Sequence, residues 1–174
     1  VLQAPSIYSI LTLLRQFLHI YPLKYQIILY LCSMRYRNIA FDFGGVVIAL
    51  SYEQAVKRFQ EIGLSDARKH LDAFCQQGIF GDLEKGVITT EQFRAEISRL
   101  VGRELTHDEC RYAWHGYVES VPQRNLQMLL RLRSLGYKVC LLSNTNPYMM
   151  QWAMSSEFDG NGHSVEYYFD HLTT

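Results

Sequence analysis

Asn38-Ile39-Ala40-Phe41-Asp42-Phe43-Gly44-Gly45-Val46-Val47 is the stretch whose reading decides the fold. Ile39 to Phe41 reads as a buried strand. Asp42 closes it, and Gly44-Gly45 lets the chain turn sharply. Val46 to Leu50 is apolar again and reads as a short hairpin-like arm beside the loop. A carboxylate at a strand end, followed by glycine-rich backbone, suits a nucleophile or metal ligand whose target must come close to amide N–H groups. Taken alone, the same pattern describes an ordinary turn or helix-capping aspartate.

A second stretch, Lys138-Val139-Cys140-Leu141-Leu142, is nearly all apolar, as a central parallel strand covered on both faces would be. It runs into Ser143-Asn144-Thr145-Asn146, and Pro147 then opens a helix expected to reach about Ser156. A hydroxyl and an amide at a strand end are the donors that a phosphoryl group needs as its negative charge shifts. Between the two stretches the spacing predicts helices near 52–62, 66–77, 90–101 and 107–118. Thr89 or Thr90 caps the third, and Thr106 with Glu109 three residues on forms a capping box for the fourth. A helix carrying Leu126, Leu129, Leu130 and Leu132 follows Pro122 and closes at Gly136, and Tyr167 to Leu172 reads as a third strand.

Strand, helical insert, helix, strand, helix, strand implies an α/β fold with an open parallel Rossmann-like sheet. In such sheets ligands sit beyond the carboxyl ends of the strands, so Asp42 and Ser143, about a hundred residues apart, are expected at one crevice. The expected organisation is an apolar extension over 1–33, a core formed by 34–51 and 119–174, and the helical insert over 52–118.

Composition narrows the partners. The 174 residues carry a formal net charge of +0, so no global field recruits nucleic acid or an anionic membrane. Cys32, Cys75, Cys110 and Cys140 form no C-x-x-C pair, which fits a reduced, cytoplasmic setting. The apolar runs within 7–33 are broken by Pro22 and Lys24 and fall short of the roughly 18 to 20 residues a membrane span needs. An interfacial leader, an extra packed helix and non-native residues are the three readings of that segment; we favour the third, with Met34 as the natural start. His107, Cys110 and His115 do not share one helical face and read as packing residues rather than metal ligands. Tyr112, Trp114 and Tyr117 read as packing the insert, with Phe80, Trp114 and Tyr117 also placed on the wall of a substrate cleft. Arg131, Arg133 and Lys138 read as a solvated face. No oligomeric state is legible.

The two strand-end stretches, Ile39-Ala40-Phe41-Asp42-Phe43-Gly44-Gly45-Val46-Val47 and Val139 to Asn146, resemble the first and second motifs of the haloacid dehalogenase (HAD) superfamily, and the insert between them resembles its helical cap. The likeness covers most of Asn38 to Leu172 and is nearest to the bacterial branch of α-glucose-1-phosphatase type. It implies that Asp42 attacks phosphorus to form an aspartyl-phosphate, that Asp42 and the Gly44 carbonyl ligate Mg²⁺, and that Ser143 and Asn144 bind the phosphoryl group of a small phosphorylated metabolite. Amides around Phe43, Gly44 and Asn144 would complete the cradle. Two departures follow. The family's phosphatases usually carry a second aspartate where this chain has Gly44, as dehalogenases do not, so halide displacement is the enzymatic alternative. The family's lysine and acidic-pair motifs are expected beyond Leu172, where only Thr173 and Thr174 follow, and Asp159, Glu166 and Asp170 are not assigned to those roles. The expectation is thus a C-terminally truncated hydrolase with little turnover, or a non-catalytic binding protein of the same fold.

Overall fold

The computed structural model describes residues 37–173 apart from Phe74; the extension over 1–33, and with it Cys32 and Met34, lies outside the described residues. Three strands form a parallel sheet in the order β1 (Asn38–Phe41), β4 (Lys138–Leu142), β5 (His171–Thr173). A separate antiparallel ribbon pairs β2 (Ala49–Leu50) with β3 (Val118–Ser120). The apolar arm therefore finds its partner about seventy residues downstream and not in its own hairpin. This ribbon is the neck through which the chain leaves the sheet for the helical insert and returns.

The insert holds α1 (Tyr52–Glu61), α2 (Gly78–Glu84), α3 (Thr90–Val101) and α4 (His107–Trp114). Each main helix starts where a side chain takes up a free backbone N–H: Ser51 accepts from Gln54, Thr89 and Gln92 form a capping box, and Thr106 and Glu109 form another. The expected helix over 66–77 does not form beyond a short 3₁₀ turn at Ala67–Lys69. Side chains capture its backbone instead. Gln76 accepts from the Asp72 amide at 3.2 Å and donates to the Asp72 carbonyl at 2.6 Å, and the Tyr117 hydroxyl donates to the same carbonyl at 2.9 Å. The fourth helix stops at Trp114 because residues 115–117 tighten into a 3₁₀ turn that feeds β3.

Two further helices follow, α5 (Gln123–Ser134) and α6 (Pro147–Ala153), the latter capped by Asn146, whose side chain accepts from the Met149 amide at 3.1 Å. Two corrections concern the sheet. β4 is central by hydrogen bonding, yet only Val139 and Leu141 are buried, while Leu142 on the other face is 59% exposed. β1 pairs only with β4 among the described residues, so Ile39 and Phe41 are half-buried and Ala40 is exposed. The third strand is also shorter than expected: Val165–Tyr167 is a 3₁₀ turn, and pairing begins at His171. Arg133 and Lys138 are not merely solvated. They converge on Asp170, at 3.5 and 3.3 Å, and Asp170 also accepts from the Val139 amide at 2.9 Å, clasping β4 to β5 at the amino end of the sheet.

Two aromatic clusters make the core. In the insert, Phe59, Phe80, Phe93 and Trp114 meet mostly edge-on or tilted, with centroids 5.3 to 5.7 Å apart. Phe80 and Trp114 are buried in this cluster, and Phe80 also borders a surface groove with Lys69, His70 and Arg99; Tyr117 is buried against Trp114, and Tyr112 lies outside at the surface under the Arg58 guanidinium. The second cluster joins Phe43, Trp152, Phe158 and Tyr168. The insert packs closely where α1 crosses the 115–117 turn: a methyl on Gly116 would stand 2.7 Å from Ala55 Cα and 3.0 Å from the Gln54 carbonyl. Gly116→Ala is expected to cost about 1–3 kcal/mol, read as a shifted midpoint with unchanged slope in urea unfolding.

Candidate functional site

Asp42 and Ser143 leave neighbouring parallel strands at the same edge. Phe41 stands opposite Leu141 in the register, so Asp42 and Leu142 come next and Ser143 one step further. With strands about 4.8 Å apart, the two residues leave the sheet at the same carboxyl end, where ligands of open parallel sheets sit. Asp42 is exposed; its Oδ1 accepts from the Phe43 amide at 2.7 Å, and Oδ2 engages none of the described residues. The Phe43 amide is therefore occupied and does not belong to an open cradle. Ser143 is 7% exposed, its amide is held by the Thr173 carbonyl at 3.0 Å, and its hydroxyl is bonded to no described residue. Asn144 is exposed and equally uncommitted.

The loop after Asp42 is built rigidly. Phe43, 2% exposed, stacks on Phe158 at 6.1 Å and tilts against Trp152 at 6.4 Å. Its carbonyl accepts from the Val47 and Ile48 amides, and Gly45, at φ 71°, donates to the Ile48 carbonyl at 2.8 Å. From α5, Asn125 donates to the Val46 and Val47 carbonyls at 2.9 and 3.1 Å. Gly44 leaves little room: a Cβ there would stand 2.9 Å from Leu50 Cδ1. The loop's internal hydrogen bonds do not use the Gly44 carbonyl. The Asp42 carboxylate and that carbonyl are hard oxygen donors, a set that suits Mg²⁺, which takes one or two carboxylates and keeps several waters.

Other acids stand apart. Among the described residues no group of three His, Cys, Asp or Glu gathers to hold a metal. Asp159 is buried next to Phe158 in the chain, where it accepts from the Asn161 and His163 amides and from the Tyr168 hydroxyl, and touches His163 Nδ1 at 2.8 Å. Burial pushes its carboxyl up, but those hydrogen bonds outweigh it and hold the group well below the ordinary carboxylate range. Asp170 sits at the opposite end of the sheet, and Glu166 is exposed in the turn before β5. His107 lies against Tyr148 at 4.9 Å, Cys110 is buried with its thiol pushed up to about 11 by burial, and His115 lies against Trp152, so the three serve packing.

Sequence reading missed Asn125, Trp152 and Phe158 as the supports of the Asp42 loop. Nothing local marks Asn125, whose partners lie nearly eighty residues upstream. Trp152 and Met149 of α6 are both buried.

No family model matches the chain. It is 45% identical over 136 residues to D-ribitol-5-phosphate phosphatase of Bacteroides thetaiotaomicron, spanning 78% of this chain and 66% of that protein. A predicted HAD-like family hydrolase of Porphyromonas gingivalis superposes with a TM-score of 0.74 at 39% identity, over 81% of this chain and 67% of the other. A HAD family enzyme of B. thetaiotaomicron, solved in complex with magnesium and inorganic phosphate, superposes with a TM-score of 0.67 at 32% identity, over 79% and 67% of the two chains. The chain thus spans about two thirds of the length of these relatives.

Asn125→Ala removes the side chain that ties the Val46 and Val47 carbonyls to α5. It is expected to cost about 1–2 kcal/mol and to speed hydrogen exchange selectively at the amides of 45–48, with β4 amides unchanged.

Proposed function

The chain belongs to the HAD-like hydrolase family, and from that premise we propose that it is a Mg²⁺-dependent phosphatase of a small phosphorylated metabolite, a sugar or sugar-alcohol phosphate, working through an aspartyl-phosphate. The observation that carries the reading is the pairing at one strand edge of an exposed, half-engaged carboxylate, Asp42, with the uncommitted hydroxyl of Ser143. The similarity to a D-ribitol-5-phosphate phosphatase, and to an enzyme that binds magnesium and phosphate, supports the substrate class and the cation.

In this reading Asp42 Oδ2 is the nucleophile. The hydrogen bond from the Phe43 amide fixes the carboxylate through Oδ1 and leaves the other oxygen for attack. Ser143 and Asn144 hold phosphoryl oxygens. Bound Mg²⁺, held by Asp42 and the Gly44 carbonyl, would offset the charge of the phosphoryl group. Gly44 provides no acid for the leaving group, so either turnover is slowed by the ~10²–10⁴-fold that general acid catalysis typically contributes or another group supplies the proton. The insert over 52–118 serves as a cap that excludes water and selects the leaving group. The free thiols of Cys75, Cys110 and Cys140 support a cytoplasmic site of action; among the described residues no helix is long and apolar enough to cross a membrane.

Gly44 also favours a second reading, displacement of halide from a 2-haloacid by the same carboxylate. Phosphate release from ribitol 5-phosphate and from hexose phosphates decides between them. It is expected to require Mg²⁺, to fall by about 10⁴-fold or more in Asp42→Asn and by about 10²-fold in Ser143→Ala. Chloride release from 2-chloropropionate without phosphate release would establish the second reading, and neither activity would overturn both.

A further inference from the structure

His115 stands where the helical insert meets the strand-bearing part, between Arg58 of α1 and Trp152 of α6. The geometry points to a proton-operated joint: the neutral His115 ring, held from within the insert by Arg58, docks on Trp152 of α6, and the imidazolium, repelled by Arg58, withdraws from that contact. The proposal rests on the phosphatase reading only for its consequence at Asp42.

Arg58 Nη1 lies 3.0 Å from His115 Nδ1. A guanidinium has no acceptor, so Nδ1 must accept and the ring's single proton sits on Nε2. Nε2 is buried and has no hydrogen-bond partner. The ring meets the Trp152 indole edge to face at 4.9 Å. A second proton has only Nδ1 to occupy, which places an imidazolium N–H against a guanidinium N–H at hydrogen-bonding distance. Both groups then repel and the Arg58 contact is lost.

Arg58 cannot yield freely, because Nη1 also donates to the Tyr112 carbonyl at 3.2 Å and the guanidinium lies 4.7 Å over the Tyr112 ring. The ionisable groups facing the imidazole come from every packed element. Arg58 of α1 and Arg111 of α4 oppose its protonation, and Glu157 after α6 favours it. Glu119 of β3 and Asp159 share the adjoining groove of about 430 Å³, Asp159 with its carboxylate engaged by Tyr168 and His163. Burial is the largest influence and, with the arginines, holds His115 below the ordinary imidazole value.

The sign follows. The unfolded chain binds this proton more readily than the folded one, so the joint's contribution is fully present above about pH 6.5 and is lost as pH falls through the lowered folded value. Trp152 packs on Phe43, next to Asp42, so release reaches the Asp42 loop by direct contact.

The test is a histidine-detected NMR titration of the full chain, with the His115 signal assigned from its loss in His115→Gln. His115 is expected to titrate below 6.5, and Arg58→Met to raise its proton affinity severalfold. Near-UV circular dichroism is expected to change through the same midpoint, and that change to vanish in His115→Gln, whose amide oxygen still accepts from Arg58. A His115 midpoint at or above 6.5, no response to Arg58→Met, or a flat dichroism signal through its midpoint would overturn the joint. Should His115→Gln not fold, the wild-type and Arg58→Met titrations decide alone. None of these readouts uses substrate: an intact titration without phosphate release would count against the phosphatase reading and leave the joint standing.

Discussion

The ring of Phe43 lies between Phe158 and Trp152, and the position of the candidate nucleophile depends on that burial. Asp42 is a surface residue just past the end of a strand that pairs on one side only among the described residues, so the sheet itself does little to fix its side chain. The constraint comes from one residue later. With Phe43 buried, its amide reaches back to the Asp42 carboxylate, and its carbonyl organises the turn through the Val47 and Ile48 amides. A buried aromatic of this size typically contributes several kcal/mol, ample to hold a loop of six residues in one conformation.

The same aromatic cluster ties the two halves of the molecule together. Trp152 touches Phe43 on one side and His115 of the insert on the other. One turn earlier on α6, Tyr148 is sunk in the insert, its hydroxyl donating to the Thr90 carbonyl at 3.1 Å and its ring against His107 and Phe93. Because α6 begins directly after Ser143 to Asn146, the helix that anchors the insert also anchors the candidate phosphoryl-binding turn. Insert and site are thus held by a single short element, in addition to the two-strand neck.

What the sequence made legible was whatever depends on local pattern. The parallel strand ends at Asp42 and Ser143, the capping boxes at Thr89 and Thr106, and the turn into α6 at Asn146-Pro147 follow from spacing and from the free N–H groups of helix starts. Tertiary capture of backbone was not legible. The segment 66–77 has helical spacing, but Gln76 and Tyr117 seize the Asp72 backbone, and Tyr117 lies far along the chain. The one-sided burial of β1 and β4 was equally hidden, because an apolar strand reads the same whether one face is covered or two. At the site, the sequence placed Asp42 and Ser143 at strand ends, whereas the supports at Asn125, Trp152 and Phe158 arise only from folding.

The central claim is that Asp42 accepts the phosphoryl group beside Ser143. Its most direct test is to quench the protein with acid during incubation with ribitol 5-phosphate and Mg²⁺, then map acyl-phosphate by peptide mass spectrometry. The account predicts a hydroxylamine-sensitive phosphate on the peptide containing Asp42, diminished in Ser143→Ala. Phosphate release with the label on another residue, or with no covalent label under conditions that trap it, would contradict the account.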